Sequence, residues 1–119
     1  MIKKQKGFKR MYYATLYSLN GLRASWYSEA AIRQELAVMF FLIPAAFFVT
    51  PETAERLILI SSLFLVLITE LLNTAIEALA DKVSIEFHEL IRKTKDIASA
   101  AVFVAIVLAT LSWAMILLL

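Results

Sequence analysis

The stretch LILISSLFLVLITELLNTAIEALAD, residues 57–81, reads as a membrane-spanning helix with two glutamates, Glu70 and Glu77, set inside it. A charged side chain at the bilayer centre costs roughly 3 kcal/mol on insertion scales, so an intramembrane carboxylate marks a functional site by default. At about 100° per residue, Glu70, Asn73, Glu77 and Asp81 fall within a stripe roughly 80° wide. Leu71, Leu72, Ala75, Ile76 and Leu79 cover the opposite face. One helix therefore turns a ladder of carboxylates and an amide to one environment and an apolar surface to another. The chemistry is expected on the ladder.

Composition supports the membrane reading. The 119 residues are 61% hydrophobic with only two Gly and two Pro, and the mean hydropathy is +0.77. That is too apolar for a soluble domain of this size and too poor in glycine for a β-barrel. With no cysteine, neither a disulfide nor a thiolate ligand or nucleophile is available. The basic start, MIKKQKGFKRMYYATLYS, is not followed by an apolar core and a small-residue cleavage site, so a removed signal peptide is not expected. The expectation is an all-α membrane protein, with residues 1–119 forming a single integral-membrane domain.

Three apolar runs are long enough to span. Residues 36–51 carry no charge over 16 positions, slightly short of the ~20 a 30 Å core requires. The polar AAIRQE stretch extends this run toward the headgroups, and Pro44 is expected to kink it. The second run contains the glutamates. The third, residues 97–119, has 23 positions without a charge. Spans are placed at about 31–50, 57–80 and 97–119. Ahead of them Phe8, Tyr12, Leu16 and Leu19 recur at helical spacing among Lys9, Arg10 and Arg23. This pattern predicts an amphipathic interfacial helix at about 8–27, with Trp26 and the tyrosines at the headgroup level; an ordinary helix packed on the others is the plainer alternative.

Lysine and arginine orient the chain. Seven precede the first span, one (Arg56) lies between the first two, and four (Lys82, Arg92, Lys93, Lys95) lie between the second and third. The positive-inside rule places the N-terminus and the 81–96 loop in the cytoplasm and the C-terminus outside. Glu70 then lies shallowly in the cytoplasmic leaflet and Glu77 at its surface. That depth suits a lipid hydroxyl meeting a water-soluble reagent. Seven residues separate the two carboxylates by ~10 Å, too far for both to bind one Mg²⁺ directly, but suited to one holding a metal while the other takes a proton. The plainer alternative is pairing with basic residues between helices. In the loop, Lys95 beside Asp96 suits phosphates and a metal or ribose, though such loops are usually only solvated; His88, the sole histidine, makes no metal cluster. Either Glu29 or Glu35, just before the first span, offers a second metal carboxylate; the plainer alternative is that they only solvate the helix end. No GxxxxGK[ST] occurs, and the protein-kinase motif set is missing.

ELLNTAIEALAD, followed by EFHEL and KTKDIASAAV, resembles the prokaryotic diacylglycerol kinases, small integral-membrane lipid kinases; GLRASWYSEAAIRQE is similar to the Gram-negative branch. The resemblance implies a homotrimeric helix bundle with active sites shared between subunits, in a bacterial inner membrane. It implies transfer of the γ-phosphate of MgATP to 1,2-diacylglycerol, giving phosphatidate. Glu70 would be the general base, supported by Asn73, with Glu29 and Glu77 holding Mg²⁺. Arg10, Tyr17, Glu29, Glu77, Glu86, Phe87, His88, Lys95 and Asp96 would contact ATP. Arg10, Ala14, Ser18, Arg23, Trp26, Ala31, Arg33, Gln34, Glu35, Arg56, Glu70, Ser99 and Trp113 would line the lipid path. No nucleic acid is expected as a partner. Two positions depart from the pattern: Asn20 stands where the SWKGL stretch has lysine, and Phe87 where tyrosine is usual. Asparagine at position 20 is similar to the Gram-positive branch, which phosphorylates undecaprenol. An undecaprenol kinase is thus the alternative substrate reading. A proton-coupled transporter using Glu70 and Glu77 as a relay, and a non-catalytic membrane adaptor, are the alternatives from other classes.

Overall fold

The computed structural model describes residues 6–83 and 89–119. Among these, four helices follow one another: α1 (Gly7–Ser28), α2 (Ala30–Val49), α3 (Thr53–Val83) and α4 (Glu89–Leu118). The protein is an all-α membrane protein: α2, α3 and α4 are each long and apolar enough to cross a bilayer. α3 runs to 31 residues, about 46 Å, against a hydrocarbon core of about 30 Å. Its ends therefore project beyond the apolar layer.

α3 lies between α2 and α4 and packs most extensively on α4. The core is built from helical spacing. Ile32 and Met39 of α2 meet Leu63 and Leu67 of α3, with Leu36, Leu42, Ile43, Leu71 and Trp113 packed around them. On α4 the buried positions are Ala98, Val102 and Ala105, a seam of small side chains four and three residues apart that lets two helix backbones approach closely. The remaining apolar surface is uncovered by the chain itself: Phe40, Phe48 and Phe103 are 74%, 90% and 68% exposed. Lipid, or further protein, must cover so large an apolar surface.

The two connections are tight. Glu29, extended at φ −125° and ψ 114°, separates α1 from α2, and the Arg33 guanidinium reaches back to donate to the Trp26 and Tyr27 carbonyls at 2.6 and 3.4 Å. Between α2 and α3, the Glu52 N–H donates to Thr50 Oγ1 at 3.2 Å and the Thr50 hydroxyl donates to Glu55. Arg56 donates to the Thr50 and Phe47 carbonyls at 2.8 and 3.2 Å and lies 5.1 Å over the Phe47 ring. These donors satisfy carbonyls that the end of α2 would otherwise leave open. The helix continues through Pro44, whose missing N–H is tolerated where packing re-satisfies the backbone.

The sequence reading has a loop over residues 81–96, yet much of it is helical. α3 runs on to Val83, and Glu89 already begins α4. Arg92 pairs with Glu89 at 2.7 Å and with Asp96 at 3.3 Å, and Thr94 donates to the Leu90 carbonyl at 2.8 Å. Pairs three and four residues apart favour helix over loop, so Lys95 and Asp96 stand on a regular element that flows into the apolar run.

Candidate functional site

Polar groups on a membrane helix must find partners within the protein, and along α3 they divide into two kinds. Ser62 donates to the Leu59 carbonyl at 2.7 Å and Thr69 to the Val66 carbonyl at 2.8 Å; these hydroxyls are satisfied by their own helix. The ladder is different. Asn73 Nδ2 donates to Glu77 Oε1 at 3.2 Å, but Asn73 Oδ1 is buried with no partner among the described residues. Glu70, Asn73 and Glu77 are all half-buried.

Around Glu70 the carboxylates accumulate. The charges of Glu77, one face-repeat along α3, and of Glu29, at the α1–α2 junction, both act on it. The charge of Glu70 in turn acts on Glu35 of α2. Four acids from three parts of the chain thus converge on one end of the bundle. Among the described residues, no three or more acidic or histidine side chains are close enough to form a metal cage. Mg²⁺ delivered on phosphates needs only one or two carboxylates, and Glu29 and Glu77 are two carboxylates whose charges both reach Glu70.

Glu35 also leads into a cleft. Among the described residues its Oε1 and the Trp113 Nε1 are buried without a partner, and both residues line a cavity of about 220 Å³ with Val38, Val66 and Thr110. An acceptor and a donor together suit a hydroxyl. Ser18 lines a second, larger cleft of about 660 Å³ between α1 and α3, with Gly21, Ser25, Leu71 and Ala75. This cleft meets α3 about 100° around the helix from the ladder.

Lys95 Nζ lies 2.7 Å from Asp81 Oδ1 and bridges the start of α4 to the end of α3. Asp96 is held by Arg92 on its own helix. The other expected residues are dispersed. Arg10, Ala14, Tyr17, Arg23 and Trp26 are exposed along α1, as are Ala31 and Gln34 on α2 and Ser99 on α4; Tyr17 stacks on Tyr13 with centroids 6.3 Å apart. Arg56 belongs to the opposite end, about 21 Å along α3 from Glu70, with its donors on backbone carbonyls. Arg33, too, is occupied at the α1–α2 junction. Glu86, Phe87 and His88 lie outside the described residues. Asp81 falls on the polar stripe, but helical spacing assigns it no role. Its partner stands fourteen residues later, beyond the reach of any single-helix pattern.

Residues 16–117 match the family model for prokaryotic diacylglycerol kinase. The chain is 43% identical to the diacylglycerol kinase of Escherichia coli (strain K12), over 98% of its own length and 96% of that protein's. It is 48% identical to the diacylglycerol kinase of Pseudomonas aeruginosa over 98% and 94% of the two chains, and 40% identical to that of Helicobacter pylori (strain ATCC 700392 / 26695) over 92% and 86%. With its three long apolar helices and its acid ladder, this chain belongs to the prokaryotic diacylglycerol kinase family.

Proposed function

We propose that this enzyme phosphorylates diacylglycerol from MgATP, forming phosphatidate and ADP on the cytoplasmic side of a bacterial inner membrane. The observation that carries the reading is the half-buried ladder Glu70, Asn73, Glu77 facing Glu29 and Glu35, in a chain related to diacylglycerol kinases over almost its full length. Phosphoryl transfer asks a protein for positioning, charge neutralisation and a proton acceptor. Glu70, half-buried at the edge of the leaflet, accepts the proton of the lipid hydroxyl as that oxygen attacks the γ-phosphorus. Asn73 orients Glu77 through its amide N–H.

Glu29 and Glu77 would hold the Mg²⁺ that arrives with ATP. When bound, that ion offsets negative charge on the phosphates. Lys95 and Asp96 stand at the same end for the nucleotide, with Arg10, Tyr17 and the segment Glu86, Phe87, His88 assigned to it by family likeness. Glu35 and Trp113 present an unpartnered acceptor and donor at the lipid side. Uncovered apolar faces and unpartnered buried atoms in one copy support assembly into a homotrimer, in which a neighbour completes the site.

The test is transfer of labelled γ-phosphate from MgATP in mixed micelles offering diacylglycerol and undecaprenol side by side. Labelled phosphatidate is the expected result. Labelled undecaprenyl phosphate would keep the mechanism, overturn the substrate and give Asn20 a role in the choice. No labelled lipid from folded, embedded protein would refute the kinase reading and favour a proton relay.

A further inference from the structure

The contact between Lys95 and Asp81 crosses from α4 to α3 at 2.7 Å. The other ion pairs among the described residues, Arg92 with Glu89 and Asp96, stay within α4. Asp81 stands four residues beyond Glu77, so the two carboxylates lie one helical turn apart on one face, and the Lys95 ammonium feels Glu77 as well as Asp81. The pair is exposed, at 37% for the Lys95 side chain and 65% for Asp81, and ion pairs so exposed contribute little to stability. Stapling the helices is therefore a poor account of it.

We propose that Asp81 is a positioning residue for the nucleotide: it holds the Lys95 ammonium over the Glu77 end of the ladder, where the phosphates of MgATP arrive. The proposal rests on the kinase reading above. A lysine carries a long, flexible stem, and fixing it before the ligand binds reduces the ordering that binding must impose. Lys95 stands on the second turn of α4, and Asp81 supplies the remaining constraint at its tip. Such preorganisation serves ground state and transition state alike, so its loss is read in KM and not in kcat.

The experiment uses the full chain in mixed micelles at saturating diacylglycerol, with MgATP varied and thermal unfolding followed in parallel. Asp81→Asn is expected to raise KM for MgATP about tenfold with kcat within about twofold and the melting temperature unchanged, and Asp81→Glu to restore KM. The exchange of both residues, Asp81→Lys with Lys95→Asp, is expected to leave KM high although the ion pair can re-form. A restored KM in the exchanged protein would make the pair a plain staple and overturn the proposal. It would equally be overturned if Lys95→Met raised KM while Asp81→Asn did not. If Lys95→Met itself left KM unchanged, Lys95 would not meet the nucleotide, and the reading on which the proposal rests would fail with it.

Discussion

The two ends of α3 are built on opposite terms. At the Thr50–Arg56 end a set of polar groups closes on the chain itself: Arg56 on two carbonyls and an aromatic ring, Thr50 on Glu55, and the Glu52 amide on Thr50. At the Glu70–Asp81 end like charges act on one another, and the buried Asn73 Oδ1 has no partner among the described residues; nor, further along the bundle beside Leu63 and Val66, have Glu35 Oε1 and Trp113 Nε1. A buried acceptor or donor left open costs about 1–3 kcal/mol. The Thr50–Arg56 end holds the hairpin together, and the Glu70–Asp81 end is the one to which the proposed function assigns the chemistry.

The contrast can be broken by substitution. Glu70→Gln keeps the shape of the side chain but cannot accept a proton at neutral pH. Turnover is expected to fall by about a hundredfold or more, with nucleotide binding retained; full lipid phosphorylation by this variant would remove Glu70 as the base. Glu77→Gln is expected to raise sharply the Mg²⁺ concentration needed for half-maximal rate, and an unchanged Mg²⁺ titration would take Glu77 out of the metal site. Arg56→Ala removes two charged donors from the end of α2 and should lower stability by about 1–2 kcal/mol, seen as an earlier thermal transition with kcat/KM for the lipid little changed. If lipid KM rose and stability held, Arg56 would belong to the lipid path after all. The smallest effect is expected from Trp113→Phe, which deletes an unpartnered N–H: stability stays level and KM for diacylglycerol rises a few-fold. A KM left unmoved would assign the cavity beside Glu35 to packing alone.

How far this was legible in the sequence follows from what each feature depends on. Spans and polar stripe rest on local periodicity and charge, so the all-α membrane architecture and the Glu70, Asn73, Glu77 face could be read directly. Helical periodicity cannot say which residues of other helices meet that face. The approach of Glu35 to Glu70, and of Trp113 to the same core, depends on the packing of α2 and α4 about α3. The charges of the 81–96 segment suggest a solvated loop, although the spacing of Glu89, Arg92 and Asp96 carries the opposite signal. Arg56, assigned to the lipid path by family resemblance, donates to the Thr50 and Phe47 carbonyls across the α2–α3 junction, a contact that no single-helix pattern could show.

Glu70→Gln and Arg56→Ala, assayed side by side in the same micelles for lipid phosphorylation and for melting temperature, test the division most directly. The expected outcome is crossed: Glu70→Gln loses turnover and keeps its melting temperature, and Arg56→Ala loses melting temperature and keeps its turnover per folded protein. If Glu70→Gln instead unfolded early while its folded fraction still phosphorylated diacylglycerol, the ladder would be structural and the account contradicted.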